Sequence, residues 1–154
     1  MTFKVKGIAT TEAQLLQTGG LDANQQPAQV HIADAGANPC RHCLGLIVEG
    51  DEMLILGYRP FDGVQPYAET GPIFLHKNSC EHYDSDQLPD WFEFLDPAVI
   101  RGYTNKDWIV YETGAVVAGS ELSATCHAIL SDPAVAYIHI RSKFNCFQCR
   151  VERA

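Results

Sequence analysis

The chain lacks any long apolar run. Its purely aliphatic pieces are as short as Leu46-Ile47-Val48, far below the ~20 residues that a membrane-spanning helix needs, so no membrane partner is expected. Positive charge is also scarce: 11 Lys and Arg stand against 19 Asp and Glu, a formal net charge of −8. Non-specific nucleic-acid binding depends on a cationic surface that displaces counterions, and nucleic acid is therefore not expected as a partner. The first residues, Met1-Thr2-Phe3-Lys4-Val5-Lys6-Gly7, hold two lysines but no apolar core followed by a small-residue cleavage site. A secretory leader is not expected, and a cytoplasmic compartment with reduced thiols follows from that reading. No G-x-G-x-x-G, G-x-x-x-x-G-K, H-E-x-x-H or G-x-S-x-G occurs, so the usual warrants for nucleotide binding, zincin proteolysis and α/β-hydrolase chemistry are missing. No motif names a catalytic residue. Internal repeats, low-complexity tracts and linkers are absent too, and 154 residues suit one domain, so residues 1–154 are expected to form a single domain.

What is present is a succession of short apolar segments with turn residues between them. Phe3 and Val5 alternate with lysines, as in a strand. Thr11-Glu12-Ala13-Gln14 has the form of a capping box, ahead of a short helix that turns Leu15 and Leu16 inward and ends at Gly19-Gly20. Val30 to Ile32 reads as a strand. Leu44 to Val48 and Met53 to Tyr58, separated by Glu49-Gly50-Asp51-Glu52, read as a hairpin. Further strands are expected over Gly71 to His76, Val99 to Tyr103, Trp108 to Tyr111, Ala115 to Val117, Val135 to Arg141 and Cys146 to Glu152. Leu122, Cys126, Ile129 and Leu130 recur at helical spacing, with Ser120 before them and Asp132-Pro133 after. Strand outweighs helix and the links are short. The expected class is α+β: a largely antiparallel sheet with one or two short helices.

Eight of the twelve Cys and His residues fall in three short windows: Cys40-Arg41-His42-Cys43, then His76, Cys80 and His82, then Cys146 and Cys149. Two Cys-x-x-Cys pairs in a reducing compartment suggest a closed four-thiolate zinc site made of Cys40, Cys43, Cys146 and Cys149. Against it stands the separation of the pairs by 102 residues, where compact zinc modules use roughly 15–20. A strand also sends residues i and i+3 to opposite faces, so Cys146 and Cys149 meet at one ion only if the strand is bulged. His76, Cys80 and His82 are spaced loosely and read as unrelated loop residues.

The C-terminal hairpin carries a second reading. Arg141, Lys143, Arg150 and Arg153 against Glu152 give residues 141–153 a charge of +3 in an acidic protein. With an even loop, Arg141 faces Cys146 and His139 faces Gln148, so Tyr137, His139, Arg141 and Arg150 share one face. Arginine suits carboxylate and phosphate recognition. This face is a candidate binding surface for a small anionic ligand, with Cys146 as a thiol activated by Arg141. An interaction module without chemistry is the third reading, and oligomeric state is not legible.

Several segments together resemble a bacterial family known as domain of unknown function 1203. They are Pro39-Cys40-Arg41-His42-Cys43-Leu44, Tyr67-Ala68-Glu69-Thr70-Gly71-Pro72-Ile73-Phe74-Leu75-His76, Arg101-Gly102-Tyr103 and Ile109-Val110-Tyr111-Glu112-Thr113-Gly114. Val135-Ala136-Tyr137-Ile138-His139 and Asn145-Cys146-Phe147-Gln148-Cys149-Arg150 complete the set. The resemblance implies a single-domain bacterial protein and supplies no activity or substrate.

Overall fold

The computed structural model describes residues 2–154. Strands β1 (Phe3–Lys6), β2 (Gln29–Ile32), β3 (Glu52–Tyr58), β4 (Gly71–His76), β5 (Asp84–Ser85), β6 (Ala98–Tyr103), β7 (Ile109–Val117), β8 (Tyr137–Arg141) and β9 (Phe147–Arg153) are joined by helices α1 (Thr10–Gln17) and α2 (Leu122–Leu130). They build two sheets, one of six strands in the order β5-β1-β9-β8-β6-β7 and one of three in the order β2-β3-β4. Every strand pair is antiparallel. The α+β class holds.

One face of the six-stranded sheet is aliphatic. Ile100, Ile138, Ile140, Cys149 and Val151 point to a core completed by Leu122, Cys126, Ile129 and Leu130, the stripe that its spacing predicts for α2. Arg153 caps that helix by donating from Nε and Nη2 to the Leu130 carbonyl at 3.1 and 2.8 Å, where the helix leaves its last carbonyls unpaired. The opposite face of the sheet carries Tyr103, Tyr137, His139 and Phe147. It is covered by the second sheet and by the loop that links β3 to β4: Phe61 stacks within 5.1 Å of His139, and Tyr58 within 5.5 Å of Phe147.

Three local expectations fail for identifiable reasons. Leu44 to Val48 is not half of a hairpin. β3 pairs instead with β2 and β4, and the Leu44–Val48 segment wraps back on the turn before it, with the Cys40 amide bonded to the Gly45 carbonyl and that of Ile47 to Asn38. The capping box at Thr11 does not form, because the helix is capped two residues earlier, at Ala9, without a side-chain cap; Leu15 is exposed and only Leu16 faces inward. The C-terminal hairpin has a different register. His139 lies opposite Arg150, and Arg141 opposite Phe147, with a bulge that leaves Gln148 unpaired. The turn Ser142–Cys146 sets this, closed by Ser142 N–H to the Cys146 carbonyl and by Asn145 in the left-handed region at φ 67°, a conformation asparagine tolerates.

Candidate metal centre

Ala35 to Pro39 forms the turn that delivers Cys40, which is fully buried. Its backbone makes a parallel bridge with Phe74 on β4, and the Arg41 amide bonds to the Phe74 carbonyl. β4 therefore runs beside the Cys-x-x-Cys turn and brings His76, its last residue, over the two thiols. The chain then loops through Cys80 before β5 joins the six-stranded sheet. Cys40, Cys43, His76 and Cys80 each offer one ligand atom, and all four atoms lie within 4.8 Å of one another. Cys40 Sγ is 3.8 Å from Cys80 Sγ, and Cys43 Sγ is 3.5 Å from His76 Nδ1. These four residues could hold a metal ion.

The turn is shaped around sulfur. The His76 amide points at Cys40 Sγ and the Gly45 amide at Cys43 Sγ, each at 3.4 Å. The Cys43 thiol, with the amides of Cys43, His76 and His42 behind it, holds the Cys40 thiol down to about 4 against the opposing effect of burial. Cys43 is pushed up because its hydrogen-bonded neighbour Cys40 takes the negative charge first. Burial, then the Cys40 charge, push the Cys80 thiol up to about 11. The three thiols are thus unequal, with negative charge favoured on Cys40. Around the cluster, His42 Nδ1 lies 3.1 Å from Cys80 Sγ while its Nε2 meets Thr10 Oγ1 at 2.9 Å. Burial holds His42 below the ordinary imidazole range.

Arg41, between the two cysteines of the turn, is buried and points the other way. Its Nε donates to the Phe147 carbonyl and its Nη1 to the Pro39 carbonyl, both at 2.6 Å. No carboxylate is paired with it among the described residues. Burial pulls its guanidinium down to about 10, while nearby thiols, Cys146 first and then Cys40 and Cys149, favour the charge.

The expected quartet of Cys40, Cys43, Cys146 and Cys149 is not the set brought together: Cys146 and Cys149 do not join the cluster. Cys149 is fully buried in the aliphatic core, where burial raises its thiol well above the usual range. Cys146 sits in the hairpin turn, its Sγ 4.0 Å from the Phe144 carbonyl. His76 and Cys80, set aside at the sequence level as loop residues, take their place. Tyr137, His139, Arg141 and Arg150 do share one face, but that face is enclosed: Tyr137, His139 and Arg141 are each no more than 3% exposed, and Arg150 stacks over the Tyr137 ring at 3.7 Å.

A family model described as "Protein of unknown function (DUF1203)" matches residues 37–153. No match to the chain was found among the curated proteins or among the solved structures.

Proposed function

The chain belongs to the DUF1203 family, and from the geometry of its cysteine cluster we propose that it is a zinc-binding protein whose ion is held by Cys40, Cys43, His76 and Cys80. The observation that carries this reading is the spacing of the ligand atoms. Tetrahedral zinc with Zn–S of about 2.3 Å and Zn–N of about 2.0–2.1 Å has S···S edges of about 3.8 Å and S···N edges of about 3.5 Å. Two of the six separations match these edges, 3.8 Å for Cys40–Cys80 and 3.5 Å for Cys43–His76, and all six lie within 4.8 Å.

Charge supports the same set. A divalent ion with three thiolates and a neutral imidazole carries a net charge of −1, which balances the buried Arg41 beside it; a buried cation without such a counter-charge is costly. Four protein ligands fill the tetrahedron and leave no position for substrate or water, so the ion is structural rather than catalytic. It fastens the end of β4, the Cys-x-x-Cys turn and the loop leading to β5. Binding a structural zinc contributes ~10–16 kcal/mol of apparent free energy, as large as a domain's whole stability of ~5–15 kcal/mol.

The full chain, purified without a metal-binding tag, is expected to contain about one zinc per molecule. Chelation should release it and lower the melting temperature sharply. Replacement by cobalt(II) should give the visible spectrum of a tetrahedral thiolate site. Protein that carries no zinc, and whose melting temperature ignores chelator, overturns the reading.

A further inference from the structure

The enclosed face of the six-stranded sheet holds a second concentration of chemistry, independent of the cysteine cluster. His139 sits on β8 with Arg101 directly opposite on β6 and Arg150 directly opposite on β9, and Arg141 follows two residues later on the same face. Phe61, Tyr103, Tyr137 and Phe147 surround the imidazole with ring centroids 4.7–5.1 Å away. Neither of its nitrogens has a hydrogen-bond partner among the described residues. Burial, and then Arg141, Arg150 and Arg101, hold it well below the ordinary imidazole range, so it presents one donor and one acceptor and no charge.

Arg141 shows the same incompleteness. Its Nη1 bonds to the Asn145 carbonyl at 3.1 Å and lies 3.3 Å from Glu69 Oε2. Its Nε and Nη2 are buried without a partner. Those two nitrogens form one edge of the guanidinium, a fork of parallel N–H donors that matches the two oxygens of a carboxylate or phosphate. Leaving such donors unpaired is costly, and natural proteins rarely carry that cost without a use.

Two cavities open beside these groups, each about 210 Å³. One is lined by His139, Arg150 and Lys6 together with the carboxylates Glu12 and Asp62, the other by Arg141, Asn145 and Glu69, and Tyr58, Pro60 and Phe147 border both. Glu69 shows how the arginines receive an anion. Its Oε1 accepts from Arg101 Nη1 at 2.8 Å while Oε2 faces Arg141, so a carboxylate from the loop already bridges the pair from the solvent side.

We propose that the cavity beside Arg141, lined also by Glu69 and Asn145, is a binding site for a small oxyanion, a carboxylate or a phosphate, gripped by the free edge of Arg141. The cavities are smaller than the 300–1,000 Å³ of drug-sized sites, which limits the ligand to a compact molecule. Glu69 competes for the same guanidinium and tunes the affinity. Cys146 lines neither cavity and has no part in the site.

The test uses the full chain as isolated, with its metal content recorded so that failure of the zinc reading stays separate. Inorganic phosphate and succinate are titrated by calorimetry and thermal melting at ionic strength matched with sodium chloride. One of the two should bind saturably, and which one does assigns the ligand class. Glu69→Gln, at a half-exposed position, should tighten that binding at least about tenfold, and Arg141→Lys, which keeps the charge but loses the fork, should weaken it at least about tenfold, the scale of a charge-assisted hydrogen bond. If neither anion binds wild type or Glu69→Gln beyond the chloride control, or if a folded Arg141→Lys binds as wild type does, the proposal is overturned. Should Arg141→Lys fail to fold, the Glu69→Gln result decides alone.

Discussion

Gly7 leaves β1 so close to the Cys-x-x-Cys turn that a Cβ on it would lie 2.1 Å from the His42 carbonyl oxygen. That approach lets the Ile8 amide reach the Arg41 carbonyl and the Tyr83 amide reach that of His42, so the turn is held from both sides by backbone. Single residues also set how the protein responds to pH. His139 is depressed in the folded state, whereas an imidazole in the unfolded chain titrates near 6.5. Between the folded value and 6.5 the unfolded chain binds a proton that the folded one refuses, so stability falls as pH drops below about 6.5. The slope from this one residue approaches about 1.4 kcal/mol per pH unit. Denaturant melts from pH 7 to 5 should show wild type losing stability more steeply than His139→Phe; parallel profiles would rule this out.

At the scale of elements, α1 provides a sharp contrast between neighbours. Leu16 is 6% exposed and packs with Ala13, Leu56 and Leu75, whereas Leu15 is 57% exposed. Leu16→Ala should cost about 2–5 kcal/mol and Leu15→Ala less than about 0.5 kcal/mol in urea denaturation; equal costs would mean that the helix packs by another face. Sequence patterning had turned both leucines inward, because a helix of eight residues makes barely two turns and gives the period too few repeats to fix its phase. In α2 the period is read from four apolar positions, and all four are buried. The C-terminal pair of strands was legible as strands but not in register. Pairing depends on turn geometry, and here Asn145 and the bulge at Gln148 shift Phe147 onto the face of His139 and Arg141, away from Cys149.

Across the whole molecule the two sheets meet through a few specific ties. Arg41 reaches the Phe147 carbonyl, Trp91 Nε1 donates to the Leu44 carbonyl at 2.6 Å, and Glu69 bridges Arg101 and Arg141. The metal reading adds a tie at one end of this seam. Hydrogen exchange before and after chelation should therefore show β2, β3, β4 and the turn at residues 40–45 losing protection first, while β6, β8 and β9, packed against α2, keep theirs. Uniform loss across both sheets would mean instead that the ion serves the fold as one cooperative unit.

The sequence by itself determined the α+β class, most strands, the buried stripe of α2 and the clustering of cysteine and histidine in three windows. These rest on local period and composition, which a chain carries residue by residue. Only the tertiary structure decided which windows meet. Cys40 and Cys43 gain His76 and Cys80 because β4 returns alongside the turn through the bridge at Cys40 and Phe74, a pairing between segments more than thirty residues apart that no local pattern encodes. The tertiary structure likewise enclosed the face of Tyr137, His139 and Arg141 by laying a second sheet and a loop over it. Burial turned an expected charged surface into an interior one, and its unpaired donors are the ground on which the anion site is proposed.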